Sequence, residues 1–227
     1  LMGDEAVAEA IEATDAAHRQ LRDLGFADRA RCMKKAAAIL RERQDGYARL
    51  MAQEMGKPIT AGRAEVEKCA WVCDYYAEEA EGFLADIPVA TENTKSYTHF
   101  EPLGVVLAVM PWNFPLWQVF RFAAPALMAG NGGVLKHASN VFGSALVIEE
   151  VFRDAGFPEH AFRALLAKSG QVSAIIEHPK VKAVTLTGST PAGQAVASKA
   201  GEMLKKSVLE LGGSDPYLVL ADADLEL

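Results

Sequence analysis

VKAVTLTGSTPAGQAVASKAGEMLKKSVLELGG, residues 181–213, holds a complete structural unit. Residues 181–187 form a β-branched apolar run and Gly188 with Ser189 marks a turn; an alanine-rich helical stretch over 192–201 then leads to a second apolar run at 206–210. A strand that returns through a helix lies parallel to its predecessor in the same sheet. The same alternation runs upstream, with strands expected over 105–109, 133–136 and 162–166 and helices over 116–129, 142–155 and 172–177; one more strand is expected at 217–220. The fold class this predicts is α/β, an open, mainly parallel, Rossmann-like sheet covered by crossover helices.

Ahead of the sheet, residues 4–85 read as helix, rich in Ala, Glu, Arg and Leu, with turn signals at Gly25, Gly46 and Gly56-Lys57-Pro58. Residues 91–100 are polar with Tyr97 and Phe100 interleaved, which predicts a strand or an exposed hairpin. The chain of 227 residues is 50 % hydrophobic, so it buries a sizeable core, yet it is short for a two-domain enzyme. A net charge of −7 with no basic run argues against nucleic acid as a partner. The longest apolar stretch, 104–117, is broken by Pro111, Asn113 and Pro115 and falls short of the roughly 20 residues a membrane span needs. The expectation is a soluble protein, cytoplasmic by default, although a first residue of Leu leaves the natural N-terminus open. Cys32, Cys69 and Cys73 form no disulfide framework and no metal-ligand spacing, and are expected to be buried structural thiols in a reducing compartment.

In an open parallel sheet ligands collect where the strands end, so the residues after each strand carry the functional reading. After the first comes Pro111-Trp112-Asn113-Phe114-Pro115, where two prolines stiffen the turn that holds the Asn113 carboxamide; its N–H donors suit an oxyanion, and an ordinary turn is the alternative. After the second comes Lys136-His137-Ala138-Ser139, a cation and a small hydroxyl where a carboxylate would read a ribose 2′-hydroxyl, so that a 2′-phosphate is admitted; a merely solvated Lys is the alternative. Thr187-Gly188-Ser189-Thr190-Pro191-Ala192-Gly193 has the form of a phosphate loop entering a helix, or of a plain strand-to-helix turn. Glu210-Leu211-Gly212-Gly213 offers Glu210 as a general base at the end of a strand expected to be buried; the alternative is a Glu paired with Lys205 or Lys206.

In this order these four motifs, with Glu54-Met55-Gly56-Lys57-Pro58 and Ala124-Pro125-Ala126-Leu127 beside them, resemble those of the aldehyde dehydrogenase superfamily, closest to its succinate-semialdehyde branch. The resemblance implies NADP or NAD as cofactor and a small aldehyde as substrate. It implies that Asn113 is half of an oxyanion hole, that Glu210 is the general base, and that Trp112, Asn113, Lys136, His137, Ala138, Ser139, Gly188, Ser189, Gly193 and Leu211 line the cofactor. Arg121 falls where semialdehyde-specific members place an arginine for the substrate carboxylate, and a surface arginine is the alternative. Residues 1–227 then form a cofactor-binding domain, with a helical segment at 1–85, an oligomerisation hairpin at 86–101 and βα units at 102–227. The full-length protein is expected to be a homo-oligomer.

His137 stands where the family commonly has Pro, and Ser139 where many NAD-preferring members have Glu. The larger departure is that the family's nucleophilic cysteine follows its general base by some 35 residues, so it is expected beyond Leu227, with the catalytic domain; none of the three cysteines matches its context. The expected activity is oxidation of succinate semialdehyde to succinate through a cysteine thioester. The alternatives are a non-catalytic dinucleotide-binding fragment and a dehydrogenase for another small aldehyde. A zinc alcohol dehydrogenase is disfavoured, since zinc ligands and a G-x-G-x-x-G run are both missing.

Overall fold

The computed structural model describes residues 1–224. Four helices come first: α1 (Asp4–Asp23), α2 (Phe26–Glu42), α3 (Gln44–Met55) and α4 (Ile59–Phe83). Gly25 is the N-cap of α2, and Gly56 closes α3 in the left-handed region at φ 76°, a conformation that a Cβ would strain. The break expected at Gly46 falls instead at Arg43, whose guanidinium bonds Asp154 at 2.9 Å. Gly46 sits in the first turn of α3, where few intrahelical bonds exist for a glycine to weaken. A short antiparallel hairpin follows, β1 (Ile87–Pro88) with β2 (Tyr97–Thr98), all four residues exposed.

The remaining elements alternate as the sequence predicts: β3 (Val105–Met110), α5 (Trp117–Met128), β4 (Gly132–His137), α6 (Phe142–Ala155), β5 (Phe162–Ala164), α7 (Val172–Glu177), β6 (Val181–Gly188), α8 (Thr190–Glu202) and β7 (Lys206–Leu211). The five strands pair in parallel in the order β5-β4-β3-β6-β7, so successive crossovers run outward in opposite directions from β3. That reversal between β3 and β6 is the switch point where such sheets leave a crevice at their carboxyl ends.

Strand alternation divides the core in two. Val105 and Leu107 point to a layer made by α1, α7 and α8, whereas Ala108 and Met110 join the layer of α2, α4, α5 and α6, in which Phe120, Phe152 and Phe162 meet. Helix α1 lies so close to β4 that a Cβ added at Gly132 would come 2.8 Å from Thr14 Cγ2. The apolar run 217–220 is not a strand: it pairs with no neighbour among the described residues, and Tyr217 is 92 % exposed. β propensity alone does not make a strand where the run packs its side chains against no neighbour. Among the described residues no helix is long and apolar enough to cross a membrane.

Candidate functional site

Three clefts border the sheet, two of them at its carboxyl edge. A cleft of about 310 Å³ gathers Trp112, Asn113, Gly188, Ser189, Glu210 and Leu211, residues from three separate turns that the sequence reading singled out. A second, of about 230 Å³, lies between α7 and α8 and is lined by Lys136, Ser169 and Ala192. The third, about 440 Å³, lies on the opposite face of the sheet, where Arg121 and Gln118 of α5 look across at β7. Glu210 and Thr187 border both the first and the third.

The turn after β3 leaves Asn113 exposed, with Oδ1 accepting the Phe114 N–H at 3.1 Å. That contact orients the amide and leaves its Nδ2 donors without a partner among the described residues. Ser189 is the N-cap of α8, its hydroxyl accepting the Ala192 N–H at 3.4 Å, so the positive end of α8 faces the first cleft. Gly193, one turn on, lets α8 approach β7: a Cβ there would come 2.5 Å from Leu211 Cδ2. Lys136 is 7 % exposed; its ammonium donates to Ser169 Oγ at 3.2 Å, and burial pushes its pKa below the usual lysine value. No carboxylate pairs with it among the described residues. Ser139 is exposed at the start of the 3-10 turn Ser139–Val141.

The His137 side chain faces none of the three clefts. Its side chain is 0 % exposed; Nε2 donates to the Pro115 carbonyl at 2.8 Å and Nδ1 accepts the Ala138 N–H at 2.9 Å. Burial pushes its pKa down, and the neutral ring ties the Pro-rich turn to the end of β4 rather than facing a cleft. Glu210 corrects an expectation. Among the described residues strand β7 is the edge of the sheet and largely exposed, and the Glu210 side chain is 50 % exposed rather than buried. Its partner is neither Lys205 nor Lys206 but the guanidinium of Arg121, which also donates to Gln118 Oε1 at 2.7 Å. Lys206 lies four positions back along an extended strand, roughly 13 Å away, beyond reach of an ion pair.

The sequence reading missed the supports beneath these turns. Glu65 of α4 is 4 % exposed, and its Oε1 accepts the N–H groups of Leu116 at 2.9 Å and Trp117 at 3.0 Å, capping α5. The Lys57 ammonium pairs with Glu65 and lies 3.9 Å over the Phe114 ring, next to Asn113. Glu54 caps α6 in the same way, accepting from the Gly143 N–H at 2.6 Å and the Ser144 hydroxyl at 2.6 Å. The run Glu54-Met55-Gly56-Lys57-Pro58, noticed only for its resemblance, thus anchors two helices at once. No local signal reveals the caps, because the bonds of Glu65 to α5 and of Glu54 to α6 join residues about fifty to ninety positions apart in the chain.

Cys69 and Cys73 are wholly buried, and burial raises both thiols well above the usual range. Cys32 is half-buried against the Gly156 carbonyl at 3.4 Å, with its pKa also raised by burial. None of the three lines the cleft of Asn113 and Glu210. Among the described residues no group of three His, Cys, Asp or Glu side chains is placed to hold a metal ion.

A doubly wound parallel sheet with an amide, a carboxylate and a capped helix N-terminus around its switch-point crevice defines a class of α/β protein built to bind ligands at that edge. The model of the aldehyde dehydrogenase family matches residues 1–227, and the chain belongs to that family. It is 57 % identical over 208 residues to a probable NADP(+) succinate-semialdehyde dehydrogenase of Synechocystis sp., covering 92 % of this chain and 46 % of that relative. With the succinate semialdehyde dehydrogenase Sad of Escherichia coli, named for NAD(P)+, it shares 47 % over 225 residues, 99 % of this chain and 49 % of Sad. The crystal structure of succinic semialdehyde dehydrogenase from Streptococcus pyogenes in complex with NADP+ superimposes with a TM-score of 0.93 at 39 % identity, over 99 % of this chain and 50 % of that one. The chain spans about half the length of the curated relatives it matches.

Proposed function

We propose that the protein carrying this chain oxidises a small aldehyde that bears a carboxylate, succinate semialdehyde foremost, with NADP+ or NAD+ as the oxidant. The observation that carries the reading is the position of Glu210, which borders the cleft of the Asn113 amide on one side and the cleft of the Arg121 guanidinium on the other. A carboxylate held by Arg121 and an aldehyde group beside Asn113 then belong to one short substrate spanning the two. Relatives named for succinate semialdehyde support this choice.

The donor set fits a dinucleotide. The capped N-terminus of α8 with Ser189 suits a pyrophosphate, and the buried Lys136 ammonium, lacking a carboxylate partner among the described residues, suits the adenosine ribose and its 2′-phosphate. Trp112, Gly188 and Leu211 are the residues we assign to the nicotinamide end; Ala138, Ser139 and Gly193 frame the rest. A bound nicotinamide supplies the hydride acceptor, and that chemistry is its own.

The chain supplies the rest. Asn113 Nδ2 donates to the oxyanion that forms when a cysteine thiolate adds to the aldehyde carbon. Glu210 takes a proton from water as the water oxygen bonds the acyl carbon and the thiolate leaves, releasing the acid. Because Cys32, Cys69 and Cys73 lie away from this cleft, we assign the thiolate to a residue outside these 227, and the isolated chain to cofactor binding without turnover. We assign the exposed β1–β2 hairpin to homo-oligomer assembly and the protein to the cytoplasm. Replacing Arg121 with Ala tests the substrate: the preference for succinate semialdehyde over butanal should fall by about tenfold or more, the loss of a charged hydrogen-bonding partner. An unchanged preference would overturn the assignment.

A further inference from the structure

Arg121 and Glu210 are assigned here to different tasks, substrate recognition and water activation, yet they are bonded to one another. While the pair is made, the Glu210 carboxylate is turned toward the Arg121 cleft and bonded to the guanidinium, so it is not aimed at a water in the Asn113 cleft. Among the described residues no other side chain bonds it. Glu210 borders the Asn113 cleft as well, so a side-chain rotation alone carries the carboxylate from one cleft to the other. Gln118, bonded to the same Nη2 of Arg121 at 2.7 Å, keeps the guanidinium in place when Glu210 leaves.

We propose that the substrate's own carboxylate releases the general base: on binding Arg121 it displaces Glu210, which swings into the Asn113 cleft and there activates water. The proposal rests on the reading of Arg121 as the carboxylate anchor and deepens it. Arg121 then contributes to specificity twice, by holding anionic aldehydes and by withholding efficient hydrolysis from uncharged ones. The exchange is easy, because a partly exposed ion pair is weak and a planar substrate carboxylate offers Arg121 a bidentate replacement. The covalent chemistry is unchanged: the proton of water passes to Glu210, its oxygen bonds the acyl carbon, and the sulfur departs as thiolate.

The test uses the intact enzyme with acetaldehyde, with and without acetate, which together make up the carbon skeleton and carboxylate of succinate semialdehyde. Ionic strength is held constant, since salt alone screens an exposed pair. The readout is the rate at which the acyl-enzyme disappears in rapid-quench mass measurements, which isolates hydrolysis from the other steps. Acetate should speed hydrolysis in the parent by about two- to fivefold, the strength of such a pair. Arg121→Gln should reach the faster rate without acetate and ignore its addition. No acceleration by acetate, or slower hydrolysis in Arg121→Gln than in the parent, would overturn the coupling. If Arg121→Gln instead keeps the parent's KM for succinate semialdehyde, the assignment of Arg121 as anchor fails, and the coupling with it.

Discussion

Replacing Lys57 with methionine removes an ammonium that is 7 % exposed and leaves the Glu65 carboxylate, 1 % exposed, as a buried charge without its counter-ion. Glu65 retains two of its contacts, the N–H groups of Leu116 and Trp117, but these are dipoles and not a charge. Removing one partner of a buried pair costs about 3–5 kcal/mol, and loss of the cation over the Phe114 ring belongs within that range. In a chain of this size each kcal/mol shifts Tm by about 2–4 °C, so Lys57→Met should unfold roughly 6–20 °C below the parent. The assay is a double-mutant cycle by thermal and urea unfolding with Glu65→Gln, whose remaining oxygen still accepts from α5. Once the carboxylate has gone, the methionine has nothing to strand, so the double variant should be more stable than the sum of the single losses predicts. A Lys57→Met variant within about 1 kcal/mol of the parent, or strictly additive losses, would refute the claim that this pair anchors the Asn113 turn and α5.

Burial lowers the Lys136 pKa, so the charge that favours a 2′-phosphate is present at lower pH and is lost as pH rises through that value, before an ordinary lysine titrates near 10.5. NADP+ affinity, measured by calorimetry, should therefore weaken on the alkaline side well ahead of NAD+ affinity, and parallel profiles would count against Lys136 as the phosphate reader. His99 bonds Asp86 at 2.5 Å and Glu101 at 3.2 Å at the base of the hairpin, and the hydrogen bond to Asp86 raises its pKa above 6.5. A raised histidine stabilises most below its unfolded value and loses that contribution as pH climbs through the folded one. Exchange protection of the Val89 amide, bonded to the Ser96 carbonyl at 2.9 Å, should accordingly fall across that interval once intrinsic rates are corrected, whereas flat protection would contradict the clip. Gly132→Ala brings a Cβ within 3.2 Å of the Thr14 carbonyl, which cannot move aside as a side-chain tip can, so urea unfolding should show a loss of about 1–3 kcal/mol. Thiol labelling of the native protein at neutral pH should spare Cys69 and Cys73, and rapid modification of either would contradict their burial.

The central strands β3, β4 and β6 were legible because each is a short, largely apolar run mostly buried on both faces, and β3 and β6 agree with the expected bounds within a residue. Ser189 was legible for the same kind of reason, since a cap is a contact three residues long. Residues 217–220 misled because their composition matches a strand while pairing depends on what lies beside them. Long-range polar contacts were the least legible. Nothing near Glu65 in the chain points to Leu116, and nothing near Glu210 points to Arg121, 89 positions away. His137 shows a related limit: its place at a strand end suggested a ligand contact, whereas the fold turns the ring inward, where Nε2 donates to the Pro115 carbonyl and Nδ1 accepts the Ala138 N–H.

Glu210 carries the central claim, and a single substitution addresses it in the intact protein supplied with succinate semialdehyde and NADP+. The measurement is the rate of cofactor reduction in the parent and in Glu210→Gln, with NADP+ binding determined alongside. The parent should turn over, and Glu210→Gln should bind NADP+ as the parent does while its turnover falls by about 10²–10⁴, the usual share of a general base. Turnover in Glu210→Gln within twofold of the parent, or a parent that binds NADP+ and oxidises no aldehyde, would contradict the account.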